Sequence, residues 1–303
     1  MPDFTCVLAA LFLFTGNLLL TIWTGIEKSR PTFDWDSYKT LDPTFLEEHW
    51  HDRNDLNGLH LAGSFIIALS WILMVVPILQ VAYILSNGGR RALWLHSMMA
   101  VLAISAGVTE FVARLMRVGG FNTSNWIQKD FYLDNWAGSE SDPNGVGWKS
   151  LEVTYQLQSG MILWVDGWEY FALFGILTLN LISVRGSRVG PLGEEMCWAG
   201  MGFFIGCLSL VDFIFLFLRF VNWDTYNLVS IIFTIMIRLI LLPVWLLLLG
   251  FKLPVAAAEY AERRAMVPST HGNGNGSVPT SPKAADPLSP TSPSPGDFTI
   301  GED

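Results

Sequence analysis

Residues 60–85, HLAGSFIIALSWILMVVPILQVAYIL, decide the class of fold, because this stretch contains no Asp, Glu, Lys or Arg. An α-helix rises 1.5 Å per residue, so about 20 apolar residues cross the hydrocarbon core of a bilayer. The stretch therefore predicts a membrane-spanning helix. Pro77 lies inside it, and in lipid such a proline is tolerated because neighbouring groups satisfy the freed carbonyl oxygen.

Further stretches on both sides are also apolar enough to cross, and they cover residues 4–25, 92–117, 160–184, 196–220 and 226–251. Only 15% of the chain is charged, whereas a soluble domain carries about 25%. The sequence thus predicts an all-α membrane protein: a six-helix transmembrane bundle with two long outer loops and a disordered C-terminal tail. For the first stretch the alternative is a cleaved signal peptide, but its length and its lack of an early basic residue favour a retained span.

The predicted transmembrane domain covers residues 1–262, and the predicted tail covers residues 263–303. The tail is rich in Gly, Ser, Thr and Pro, and it lacks the apolar content that would offset the entropy of ordering. Four of its serines precede proline, which is the pattern for proline-directed phosphorylation: Ser281, Ser289, Ser292 and Ser294.

Basic residues set the predicted orientation. Those in the short loops and after the last span all fall on one side: Arg90, Arg91, Arg185, Arg188, Lys252, Arg263 and Arg264. The positive-inside rule makes that side cytosolic, so both termini are predicted to be cytosolic in a multi-pass protein. Asn122, in the triplet Asn-Thr-Ser, then lies outside, where N-glycosylation occurs. Lys28 and Arg30 disagree, but they lie in a long loop, where the rule carries less weight.

The two long outer loops are predicted to fold together. In loop one, Asp42-Pro43 is a helix-start signal, and a short helix is expected from Thr44 to Asp55. Loop three is rich in aromatic residues: Trp126, Phe131, Tyr132, Trp136, Trp148 and Tyr155. Because such side chains bury surface, we expect loop three to pack on loop one as an outer cap. The alternative is a loop that lies on lipid headgroups.

Charged residues within the predicted spans are the strongest functional signal. Seven fall in spans three to six: Glu110, Arg114, Asp166, Glu169, Asp212, Arg219 and Arg238. Such residues are costly in lipid and usually face a partner or a water-filled cavity. Spacings of three, four and seven residues place neighbours on a shared helix face, and the predicted depths bring all seven into the middle and outer half of the bundle. Both a set of ion pairs that locks the bundle and an outward-facing polar site fit this pattern.

The leading functional hypothesis is transport or channel-like activity for a cation or small polar solute, through an outward-facing cavity of acids and arginines. The alternative is a non-transport scaffold or receptor-like component that acts through its outer cap and phosphorylatable tail. The expected partners are the lipid bilayer and such a solute, and an oligomer is compatible with the sequence. A net charge of −9 without a basic tract argues against nucleic acid.

A third hypothesis, a haem-binding redox protein, comes from a resemblance. The segment from His60 to His96, with Trp71, Pro77 and Trp94 between them, resembles the histidine-bearing helices of cytochrome b561 proteins. The resemblance implies haem, but those proteins pair histidines from four helices to hold two haems, and spans four and five here have no histidine. We therefore expect no cofactor. The sequence also contains no catalytic motif and no fixed metal-ligand spacing, so we predict neither an enzyme nor a metal site.

Overall fold

The computed structural model describes residues 1–29, 37, 40–86, 93–126, 146–186, 192, 196–219 and 221–265. Within these ranges the regular structure is helical, with no strand. The helices are α1 (Phe4–Ser29), α2 (Pro43–Asp55), α3 (Asn57–Leu85), α4 (Leu93–Trp126), α5 (Val146–Gly186), α6 (Met196–Leu218), α7 (Trp223–Ile235) and α8 (Leu242–Ala265), and a π-helical turn (Met236–Leu241) joins the last two.

The all-α class and the six-helix bundle are confirmed. Six helical segments of the described chain are long and apolar enough to cross a membrane, the sixth running through α7, the π-helical turn and α8. Two helices extend well beyond the predicted spans, since α4 continues to Trp126 and α5 already begins at Val146. The region predicted as loop three is therefore largely helical at both ends. The predicted tail lies outside the described residues from residue 266 onward.

The spans pack in a ring that follows chain order. Each of α1, α3, α4, α5 and α6 packs against the next, and α8 returns to pack against α1. Close approach depends on small residues, as is common between helices in lipid. A Cβ atom added to Gly16 of α1 would lie 2.6 Å from Ile67 Cγ1 and 3.0 Å from the Gly63 carbonyl oxygen of α3.

The sixth span contains a π-helical turn near its middle. The Leu242 amide donates to the Ile237 carbonyl, five residues earlier, and Pro243, which has no amide hydrogen, follows directly. Such a widened turn changes which side chains point inward and is frequent at functional sites. Here it contains Arg238, which is buried.

The predicted packing of loop one against loop three is confirmed within the described residues, and the side of the membrane on which this cap lies stays a prediction. Asp42 caps α2 by accepting hydrogen bonds from the amides of Thr44 and Phe45 at 3.0 and 3.1 Å. The helix packs against α5, and an aromatic and aliphatic cluster forms there from Phe45, Leu46, Trp50, Phe121, Trp148, Leu151 and Tyr155. Of the loop-three aromatics, Trp148 and Tyr155 belong to this cluster. Phe131, Tyr132, Trp136 and the side chain of Trp126 lie outside what the structure describes.

Candidate functional site

Five of the seven predicted charged residues meet in one buried group, which we call the charge cluster: Glu110, Arg114, Asp166, Glu169 and Arg238. Arg114 Nε donates to Glu110 Oε1 at 2.7 Å, within α4. Arg114 Nη2 also lies 3.4 Å from Asp166 Oδ1 of α5. The sequence spacing therefore predicted correctly that Glu110 and Arg114 are neighbours on α4 and that Asp166 and Glu169 are neighbours on α5.

Arg238 is the centre of the charge cluster. Its Nη2 donates to Glu169 Oε2 at 2.9 Å and lies 3.4 Å from Asp166 Oδ1, while its Nη1 is 4.0 Å from Glu110 Oε1. The guanidinium also lies over the ring of Tyr170, 4.7 Å from the ring centroid, where the negative face of an aromatic ring attracts a cation. The π-helical turn thus directs one arginine at acids from two other helices.

The carboxyl groups outnumber the guanidinium groups in the charge cluster by three to two. Glu110 and Glu169 are fully buried and contact each other through their carboxyl groups. Glu110 Oε2 and Glu169 Oε1 have no hydrogen-bond donor among the described residues. Oxygen atoms of Glu110, Asp166 and Glu169 lie within 4.8 Å of one another, which is close enough for one ion to contact all three.

Asp212 is satisfied separately, by hydroxyl groups. It accepts hydrogen bonds from Ser230 at 2.6 Å and from Thr234 at 3.0 Å, both on α7. The Tyr170 hydroxyl donates to Thr234 Oγ1 at 2.9 Å, so a chain of hydroxyl groups leads from Asp212 to the ring beneath Arg238. Sequence spacing indicated that Asp212 lies at depth but gave no sign of these partners.

A cavity of about 430 Å³ adjoins the charge cluster. Among the described residues, the charged groups on its wall are four arginines and one acid: Arg114, Arg117, Arg219, Arg238 and Asp166. The wall is therefore strongly basic. Glu110 and Glu169 do not line this cavity, whereas Asp166 does and keeps 16% of its side chain exposed.

The cavity lies between α1 and α7. Asn17, Thr21 and Thr24 of α1 form one wall, and Ile231 and Thr234 of α7 contribute to another. The side chains of Thr21, Thr24 and Ile231 are exposed at the protein surface. The main neighbours of α1 on the sixth span are α8 and the π-helical turn rather than α7, which leaves room for the cavity.

Two arginines that line the cavity each have a buried donor atom without an acceptor. Nε of Arg117 and Nε of Arg238 have no hydrogen-bond acceptor among the described residues. A buried donor without an acceptor is costly, but both Nε atoms are themselves buried from solvent, so they are not donors on the surface of the cavity.

A second buried ion network ties the cap to the bundle. Arg53 of α2 reaches Glu27 Oε1 of α1 and Glu152 Oε2 of α5, each at 3.1 Å. Its Nη2 lies 2.8 Å from His49 Nε2, and its guanidinium lies 4.3 Å from the centroid of the Tyr155 ring. We did not predict this network, because Glu27, Arg53 and Glu152 lie in the two long loops between the predicted spans.

The remaining predicted residues are placed as follows. Asn122 lies exposed near the end of α4 and accepts a hydrogen bond from Asn57 at 3.0 Å, and its glycosylation stays a prediction. Ser281, Ser289, Ser292 and Ser294 lie outside the described residues. His60 and His96 each lie in the first turn of their spans, α3 and α4, which are successive helices of the ring.

No family model, no curated protein and no solved structure matches the chain. The six membrane-length helices define the class: a multi-pass α-helical membrane protein.

Proposed function

We propose that the protein is a membrane carrier for a small polar solute that bears an anionic group, and that this group binds in the arginine-lined cavity. The observation that carries the proposal is the wall itself, with four arginines against one aspartate, all but Arg219 within candidate membrane spans. Arginine binds carboxylate, phosphate and sulfonate-like oxyanions through paired N–H donors. The volume of about 430 Å³ falls in the usual range for small-molecule sites.

The charge of the wall favours an anion over the cation that the sequence suggested. Two of the three acids in the charge cluster are turned away from the cavity and already contact arginines. A cation in the cavity would face four guanidinium groups, and like charges repel strongly where water is scarce. An anion would instead be attracted by the guanidinium groups of Arg117 and Arg238, two of the residues that line the cavity.

The helices on both sides of the cavity favour a solute with an apolar part. Exposed apolar side chains lie on α1 and α7, among them Leu18, Ile22, Leu228 and Ile232. An alkyl chain could therefore remain against the lipid-facing surface while its head group enters the cavity.

Binding can be tested on purified protein with octanesulfonate and with methanesulfonate, which has the same head group without the chain. We expect anion-dependent thermal stabilisation that Arg117→Gln abolishes. A ligand at 100 times its Kd stabilises by about 2.7 kcal/mol. The matched control is Arg263→Gln, since Arg263 is exposed on α8 and its partner Glu259 lies 3.9 Å away. Equal stabilisation of the wild type and Arg117→Gln would contradict the proposal.

Transport can be tested with proteoliposomes. We expect uptake of labelled anion into vesicles with the wild type and with Arg263→Gln, but not with Arg117→Gln. Saturable binding without flux would show that the protein binds anions but is not a carrier. Stronger binding of octanesulfonate than of methanesulfonate would show that the apolar chain contributes to binding.

A scaffold that acts through the outer cap is the second candidate. Its support is the buried network around Arg53, which holds α1, α2 and α5 together. This function predicts that the cap, and not the cavity, contacts a partner. Replacement of exposed cap residues such as Glu48 should then abolish partner capture, whereas Arg117→Gln should have no effect on it.

A further inference from the structure

The charge cluster is not balanced by its own side chains. Three carboxyl groups, those of Glu110, Asp166 and Glu169, face two guanidinium groups, those of Arg114 and Arg238. If all five were ionised, the cluster would hold one net negative charge, and its most deeply buried acids, Glu110 and Glu169, lie away from the arginine-lined cavity. A buried negative charge without compensation is strongly unfavourable, so a positive species beside these two acids would stabilise the cluster.

The contact between Glu110 and Glu169 locates that species. Both side chains are 0% exposed, and their carboxyl groups touch. The two oxygens that have no donor are Glu110 Oε2 and Glu169 Oε1, one on each member of the pair. Two ionised carboxylates in contact repel each other, whereas one proton between them removes a charge and supplies the missing hydrogen bond.

A divalent metal fits the same atoms less well. The three acids could each give it an oxygen, but it would change the net charge of the cluster from −1 to +1. It would also compete with Arg114 and Arg238, which already contact these carboxylates. A single proton makes the cluster neutral and leaves every arginine contact in place.

We propose that Glu110 and Glu169 form a proton-binding site within the membrane, linked through Arg238 to the cavity. The link follows from geometry, because Arg238 donates to Glu169 and also lines the cavity. An anion that binds Arg238 weakens the hydrogen bond from Arg238 to Glu169. The added negative charge then favours uptake of a further proton by the carboxyl groups around Arg238, which are Glu110 on α4 and Asp166 and Glu169 on α5. Asp212 on α6 lies farther away, beyond Tyr170 and Thr234.

The proton site can be tested by infrared spectroscopy at neutral pH, through the C=O stretching band of a protonated carboxyl group. We expect this band in the wild type, and we expect it to shift when the glutamates are labelled with 13C at the side-chain carboxyl, which needs no substitution. Glu169→Gln and Glu110→Gln should each lose it. Glu262→Gln, at an exposed position on α8, should keep the band. Asp212→Asn should also keep the part of the band that shifts on glutamate labelling, because any signal from Asp212 is not shifted by the label.

The absence of any label-sensitive band in the wild type would overturn the proton site. If that band is absent and the protein is instead stabilised by added Na⁺ or Ca²⁺, a cation occupies the cluster.

The link to the cavity rests on the proposed function and has its own readout. Octanesulfonate does not titrate near neutral pH, so proton uptake on its binding can be measured with a pH indicator in weak buffer. We expect uptake by the wild type and reduced uptake by Glu169→Gln. Binding without proton uptake would overturn the link alone. If no anion binds, the proposed function and the link both fail, and the infrared band still decides the proton site.

Discussion

Replacement of Arg238 by Gln should be among the most destabilising single changes in the bundle. The change removes a contact at 2.9 Å to Glu169, another at 3.4 Å to Asp166 and a third at 4.0 Å to Glu110. It leaves three carboxyl groups against Arg114 alone. Removal of one partner from a buried ion pair costs about 3–5 kcal/mol, and here the lost partner served several acids, so we expect the upper part of that range.

Replacement of Glu169 by Gln should cost far less. Two carboxylates then face two guanidinium groups, and the amide oxygen still accepts a hydrogen bond from Arg238. The change exchanges a hydrogen bond between two ionised groups for one in which only the guanidinium donor is ionised, and a net hydrogen bond contributes about 0.5–1.5 kcal/mol. The double variant Arg238→Gln with Glu169→Gln should therefore be more stable than Arg238→Gln alone.

The free energy of unfolding of the three variants can be compared by denaturant titration in mixed micelles, with Arg263→Gln as the exposed control. If Glu169→Gln is as destabilised as Arg238→Gln, Glu169 is an ionised partner of Arg238. The proposed excess of one negative charge in the charge cluster is then wrong. If Arg238→Gln keeps wild-type stability, the contacts of Arg238 do not hold the bundle.

Three further predictions concern the cap, the orientation and the helix packing. Arg53→Met should cost about 3–5 kcal/mol, because it strands two buried acids, and limited proteolysis should then cut the cap faster than in the wild type. Asn275, in the triplet Asn-Gly-Ser of the predicted cytosolic tail, is a second glycosylation acceptor. In a eukaryotic host, Asn122 should carry a glycan and Asn275 should not, as the mobility after deglycosylation would reveal, and the reverse pattern would invert the orientation. Gly16→Ala should cost about 1–3 kcal/mol through overpacking against α3, whereas Gly200→Ala, with open space around it, should be neutral in the same unfolding assay.

The number of spans could be predicted because the bilayer imposes a length and a composition on each of them. The ends of α4 and α5 could not be placed by that criterion. Hydropathy identifies only the part of a helix that lies in the membrane, whereas the helix itself can continue beyond it. A signal was present in α5: Trp148, Leu151 and Tyr155 are spaced three and four residues apart, and all three are buried in the cap cluster. That spacing is the apolar face of a helix.

The candidate site was predicted in part, for a similar reason. Charges in lipid are conspicuous, so Glu110, Asp166 and Arg238 stood out in the sequence. The polar side chains of α1 did not, although Asn17, Thr21 and Thr24 are also spaced four and three residues apart and all line the cavity. The π-helical turn has no simple sequence signature apart from Pro243, so the direction in which Arg238 points could not be inferred.

Arg238 belongs to two environments at once, which is the basis of the proposed coupling. On one side it contacts the buried carboxyl groups, and on the other it forms part of the basic wall of the cavity. Because a guanidinium has five N–H donors in one rigid plane, it can bridge both, but any ligand that reorients it must change its contacts with Glu169. Coupling between the cavity and the acids therefore requires no large rearrangement of helices, only a change in the acceptors of one side chain.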